Sequence, residues 1–417
     1  MSIAADWSPE NPILAYLQTL IATKKTLPYG QPVVAHASVN HTGSASLLRL
    51  AADIGPYIAI LQIPADAIDD WSSDTIEQLQ YLSRKHRFLL WEASKILNPM
   101  VNFIGRADAP LETRQALADL IKKSYTSGPV RTATWSNLAS CWAPAAPIDQ
   151  QENDILIPTL RSAAREAVAT TAKIIQTEIS AETNNYSSSE EVEIILPCAE
   201  TSNGWKEFSP NNTGSVLRKS STISVTTESV IPHAHIHADD GVPIPPLLAR
   251  SVALCLPSTT ESAFTSEFRQ STIVAACANS DFVIGLATSE PFFVNHRGND
   301  ILDLALFDGI ENPQLGISTA KLATLPYVNE HQKSLAVFSL VPPSLSLGFE
   351  FDPTVKPDGS PPSDSDSETP YTAQYLYHAV GQAVALREKN RQEQEPSVSQ
   401  KQPMGPNLIH LPVVIVV

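Results

Sequence analysis

Residues 73–92 read SDTIEQLQYLSRKHRFLLWE and contain one complete structural unit. Ile76, Leu79 and Leu82 recur every three residues among polar and charged side chains, so Ser73 to Lys85 is expected to be a helix with one buried stripe. The apolar run that follows, Arg87 to Glu92, has strand length and strand composition. The same alternation extends in both directions. Candidate strands are Pro32 to Val39, Tyr57 to Gln62, Arg87 to Glu92, Ser136 to Cys141, Ser251 to Pro257, Asp281 to Ala287, Ser334 to Val341 and Ile409 to Val416. Helical patterns lie between them at Gly43 to Ala52, Glu112 to Ser124, Thr265 to Ala278 and Tyr371 to Asn390. Repeated strand–helix alternation argues for an α/β fold with parallel strands, and eight such units predict a closed (β/α)8 TIM-type barrel.

The rhythm breaks between Ile155 and Arg250. There a long helix, Ile155 to Ile179, leads into the polar stretch Asn184 to Glu191 and then strand-like Val192 to Leu196. This is read as a large insertion between the fourth and fifth strands. The expected divisions are therefore 1–31 (an N-terminal helix and lead-in), 32–150 (the first half of the barrel), 151–250 (the insertion) and 251–417 (the second half). Ser289 to Lys333 reads as a long irregular connection. An acidic, proline- and serine-rich loop at 350–370 carries Asp352, Asp358, Asp364, Asp366 and Glu368 before the last helix, and cannot bury a core.

Composition narrows the function. The 417 residues are 43% apolar, enough for a sizeable core, and 28 Lys and Arg against 44 Asp and Glu give a net charge of −16. That charge, with no basic patch in the sequence, opposes nucleic acid and anionic membranes as partners. Met1 to Pro12 lacks a basic n-region, Ile13 to Ala22 reads as an amphipathic helix, and no run reaches the roughly 18 apolar residues of a membrane span. Cys141, Cys198, Cys255 and Cys277 are scattered, which fits a reducing compartment, and a cytoplasmic location is expected. Prolines outnumber glycines 33 to 16 and no glycines cluster, so the Rossmann and Walker phosphate loops are both absent. There is no Gly-x-Ser-x-Gly elbow either.

Several local strings are distinctive: Ala37-Ser38-Val39-Asn40, Ile54-Gly55-Pro56, Arg87 to Glu92, Thr134-Trp135-Ser136-Asn137, and Glu267 followed by Asp281-Phe282-Val283-Ile284-Gly285. In their order along the chain they resemble the orotidine 5′-phosphate decarboxylase superfamily, particularly its fungal members, over residues 32–142 and 251–287. The resemblance implies a cofactor-free, homodimeric barrel acting on a small molecule. In that family an array of alternating lysines and aspartates surrounds the substrate carboxylate, and one lysine protonates the developing carbanion.

The array is largely neutral in this chain. Its third-strand form, Asp-x-Lys-x-x-Asp, falls on Ala93, Lys95 and Asn98; its second-strand lysine falls on Gln62, and the aspartate after the first strand falls on Asn40. The family's phosphate-binding Gly-Arg-Gly after the eighth strand has no counterpart before Val417. Its Gln-x-Tyr loop matches only Ala373 and Tyr375. The pyrimidine-loop serine corresponds to Ser258. Orotidine monophosphate is therefore not the expected substrate.

Lys95 is the catalytic candidate. Without carboxylates to hold its proton, a desolvated lysine becomes a neutral amine, able to act as a general base or a Schiff-base nucleophile. Ser38, Asn40, Gln62, Asn98 and Ser258 are the substrate-binding candidates, neutral groups able to orient a carbonyl or stabilise an enolate. His233, His235 and His237 share metal-ligand spacing but sit beside prolines in the insertion, where a solvated loop is the favoured reading and no metal is assigned. The expected activity is a diverged decarboxylase-like lyase, with cyclase or isomerase chemistry as a variant, on a non-nucleotide acid or polycarbonyl in fungal specialised metabolism. The alternatives are a non-catalytic binding protein on the same barrel and, less favoured, a true orotidine 5′-phosphate decarboxylase.

Overall fold

The computed structural model describes residues 11–38, 43–93, 111–143, 154–172, 241–257, 266–293, 334–346, 349–350, 370–394 and 407–416. It divides into a barrel unit, 1–172 with 234–417, and a second unit, 173–233, which lies outside the described residues. All eight expected strands form: β1 Val34–Ala37, β2 Ile60–Ile63, β3 Leu89–Glu92, β4 Leu138–Trp142, β5 Ser251–Leu256, β6 Val283–Pro291, β7 Ser334–Val341 and β8 Asn407–Val416. Each pairs in parallel with its sequence neighbour, and β8 returns to β1 to close the barrel. Among the described residues the helices are α1 Pro12–Thr23, α2 Ser44–Ile54, α3 Ser73–His86, α4 Leu111–Ser127, α5 Thr132–Trp135, α6 Leu156–Ala172, α7 Ser266–Ala278 and α8 Tyr371–Gln394.

The stretch 73–92 shows how local chemistry sets these boundaries. The Ser72 hydroxyl accepts from the Thr75 N–H at 3.2 Å and starts α3. Arg84, Lys85 and His86 fill its last turn, where cations complement the helix carbonyls. Arg87 then takes a left-handed conformation, φ 59°, and turns the chain into β3. The Ser83 hydroxyl donates to the Phe88 carbonyl and secures this turn. β2 starts three residues later than the sequence suggested, because Gly55–Tyr57 forms a 3-10 turn around Pro56.

Side chains alternate between two surroundings, as strand geometry requires. Ala35, Leu61, Ile63 and Leu90 pack outward against Leu47, Leu50 and Ile54 of α2. Val34, Ile60, Leu89, Leu138, Ala253, Ile284, Ala336 and Leu411 face inward, one from each strand, and all are fully buried. Helix α1 packs Ile13, Leu14, Leu17 and Leu20 into that same interior cluster and closes its N-terminal end. Asn11 anchors α1: its Oδ1 accepts from the N–H groups of Ile13 and Leu14, and its side-chain amide reaches the Ser251 hydroxyl at 3.1 Å.

Within the segment 151–250, the helix Leu156–Ala172 groups with the barrel unit. The cause is its apolar face: Leu156, Ile157, Leu160, Ala163 and Ala164 share a buried cluster with Tyr125 of α4 and with β4 and β5. No helix among the described residues is long and apolar enough to cross a membrane.

Gly285 marks a close approach between strands. The β5–β6 register slips beside it, Val252 pairing with Val283 and Ala253 with Gly285. A Cβ at 285 would collide with the Ala336 backbone carbonyl of β7, which cannot swing aside as a flexible side chain could. Gly285→Ala is expected to cost about 3 kcal/mol, the upper range for overpacking. Equilibrium urea unfolding checks it, and a loss below about 1 kcal/mol would mean that β6 and β7 separate easily.

Candidate active site at the barrel mouth

In a parallel barrel the strand C-termini open onto one face, where catalytic groups are placed by loops. The inward positions two residues beyond the sealed layer form the floor of this mouth. On β3, β4 and β7 the floor is packed. Trp91 is fully buried, its indole N–H donates to the Ser140 hydroxyl at 2.9 Å, and its ring lies 4.6 Å from that of Phe338. On β1, β2 and β5 it is open: His36, Gln62 and Cys255 keep partial exposure although they share the inward face of fully buried neighbours. The open positions on β1 and β2 thus sit beside the packed aromatic pair, Gln62 being the register partner of Trp91.

His36 and Gln62 are direct partners across the β1–β2 register, and the His36 Nδ1 lies 3.0 Å from the Gln62 Oε1. A carbonyl oxygen only accepts, so this contact fixes the hydrogen on Nδ1 and leaves Nε2 with its lone pair. Burial lowers the His36 pKa below the ordinary histidine value, partly opposed by the Gln62 hydrogen bond, so the ring is neutral at pH 7. Gln62 and Ile415, the neighbours of His36 on β2 and β8, carry no charge. Glu92 at the end of β3 is buried on the outward side, where the Thr132 hydroxyl lies 3.4 Å from its Oε2. Among the described residues, this floor holds hydrogen-bonding groups and a neutral base but no ion.

Of the residues expected from sequence, Gln62 lies in this floor. Ser38 follows the end of β1, buried, and its N–H donates to the Val416 carbonyl at 3.1 Å. Lys95, Asn40, Asn98 and Ser258 lie outside the described residues, as do His233, His235 and His237. Ala93, the last described residue after β3, hydrogen-bonds through its N–H to the Ile63 carbonyl at 2.9 Å and continues the sheet toward the mouth. Sequence reading missed His36. Its signal was the two-residue spacing to Ser38, which places both on one strand face. Among the described residues there is no group of three or more His, Cys, Asp or Glu side chains able to hold a metal ion.

Fold and floor together define a (β/α)8 barrel protein with its polar groups at the strand C-termini. No family model matches the chain. It is 30% identical over 131 residues to the orotidine 5′-phosphate decarboxylase of Emericella nidulans, covering 31% of this chain and 39% of the relative. It is 26% identical over 132 residues to that of Schizosaccharomyces pombe, 32% of this chain and 40% of the relative. It is 30% identical over 154 residues to that of Paracoccidioides brasiliensis, 36% of this chain and 45% of the relative. The chain therefore matches less than half the length of these curated relatives. Over the matched stretch the chain is thus similar to fungal orotidine 5′-phosphate decarboxylases, and its closed parallel barrel fits that likeness.

Proposed function

We propose that this chain is a cofactor-independent, decarboxylase-like lyase whose substrate is a non-nucleotide carboxylic acid or polycarbonyl compound. The observation that carries this reading is Gln62, neutral and hydrogen-bonded to a neutral imidazole, where the resemblance expects the second-strand lysine of a charged array. An uncharged floor no longer matches a nucleotide's ionic headgroup, while it keeps the groups that orient a carbonyl. Lys95 supplies the amine for base or Schiff-base chemistry, with Asn40, Asn98, Ser38 and Ser258 as substrate contacts. A cytoplasmic homodimer serving fungal specialised metabolism completes the proposal.

Two measurements test it. Purified protein with orotidine 5′-phosphate is expected to form no uridine monophosphate above background; steady formation at decarboxylase rates would instead assign the family's own reaction. Mass spectrometry of metabolites with and without the gene then addresses the substrate. An accumulated compound heavier than the lost product by one carbon dioxide supports decarboxylation. An accumulated isomer points to cyclase or isomerase chemistry, and an unchanged profile under expressing conditions assigns the barrel to binding rather than catalysis.

A further inference from the structure

The His36–Gln62 pair does more than line a wall. Two features set it apart from a buried structural histidine. His36 retains exposure on the inward face of β1, directly above Val34, which has none. Its partner occupies only Nδ1, and that partner is an acceptor, so the nitrogen left over is the basic one. We propose that His36 is the proton carrier of the barrel mouth: its Nε2 takes the proton of a substrate carboxyl group and returns it to the carbon that carbon dioxide leaves, while Gln62 holds the required tautomer.

This rests on the decarboxylase-like reading and adds the substrate chemistry, an acid with a carbonyl group β to its carboxyl. The step balances without a cofactor. The carboxyl O–H proton passes to Nε2. The carbon–carbon bond then breaks, carbon dioxide departs, and the electron pair stays on the substrate carbon, delocalised into the neighbouring carbonyl. The Nε2 proton is delivered to that carbon, and the ring is neutral again. The Gln62 carbonyl, accepting from Nδ1–H, also stabilises the transient imidazolium.

The productive complex of acid and His36 carries one proton, so kcat/KM falls as pH rises above the His36 pKa, which lies below the ordinary histidine value. Gln62 on β2 and Ile415 on β8, the register neighbours of His36, do not titrate; Cys255 on β5 and the amine proposed at Lys95 are the titratable groups assigned to the same mouth. Gln62→Glu is expected to shift this limb upward by about one pH unit, because a carboxylate beside the ring favours its charged form. Gln62→Leu, which removes the hydrogen bond, is expected to shift it downward. His36→Asn is expected to lower kcat on the order of 100-fold.

The test uses the full chain and the acid that accumulates when the gene is deleted, with carbon dioxide release followed across pH. Nitrogen-15 spectra of the histidine rings give a second readout, expected to show the Nδ1–H tautomer in the parent and its loss in Gln62→Leu. If the parent protein releases no carbon dioxide, the decarboxylase-like reading fails and this proposal with it. If the parent turns over while His36→Asn and both Gln62 variants keep its rate and pH profile, the proposal alone is overturned. An Nε2–H tautomer in the parent also overturns it.

Discussion

Lys95→Ala is expected to abolish turnover, by roughly 100-fold to 10,000-fold, the range for removing a catalytic acid, base or nucleophile. The expectation follows from the resemblance of Arg87 to Glu92 to the family's third strand, which carries the array lysine's position onto Lys95. It also follows from the character of the mouth. Its described floor presents Gln62, Ser140 and a neutral His36, with the buried Glu92 turned outward toward Thr132. An amine beside this floor would find no carboxylate among its described residues to hold the proton, which is the condition for attacking a carbonyl or abstracting a proton near pH 7. Carbon dioxide release by parent and variant decides the matter, with urea unfolding run alongside to show that the fold is intact. Full activity in Lys95→Ala would sink the assignment.

Lys24→Met has a comparable effect on stability, at the opposite end of the barrel. Lys24 follows α1 and is 6% exposed. Its Nζ shares its N–H groups among the carbonyls of Ile58 at 2.6 Å, His86 at 2.7 Å, Gly55 at 3.0 Å and Arg87 at 3.3 Å. Two of these carbonyls belong to the turn entering β2 and two to the turn entering β3, so one side chain ties α1 to both. Methionine keeps the stem and removes the donors, leaving several buried carbonyls unsatisfied. A loss of about 4 kcal/mol is expected.

The pH dependence has a definite sign. Burial first, and the nearby Arg87 charge second, lower the folded-state pKa of Lys24 from 10.5 to about 7. Between those values the unfolded chain binds the additional proton, so stability rises with pH through the window and is lost as pH falls toward 7. One proton contributes at most about 1.4 kcal/mol per pH unit. Denaturant midpoints of parent and Lys24→Met between pH 7 and 9 should therefore converge in slope only if this contribution is absent; a parent slope no steeper than the variant's would refute it.

Much of the barrel was legible because its strands are local apolar runs and its helices carry local stripes. Ile76, Leu79 and Leu82 announce α3, and all eight strands lie at or within a few residues of their expected positions. The position of Gln62 was legible as well, since Tyr57 to Gln62 reads as a strand that ends there. Which elements cover helix α6 was not legible, because an apolar helix face does not say which neighbour will cover it.

The sequence by itself determined the alternation of strands and helices and the exclusion of the common phosphate loops. These are properties of residues close together in the chain. Tertiary structure alone decided that His36 meets Gln62, that Trp91 bonds Ser140, that four carbonyls converge on Lys24 and that Gly285 must lack a side chain. Each depends on the register between strands or on the meeting of distant turns. Strands buried on both faces show no polar alternation from which to read which side faces inward, so those contacts are settled only when the barrel closes.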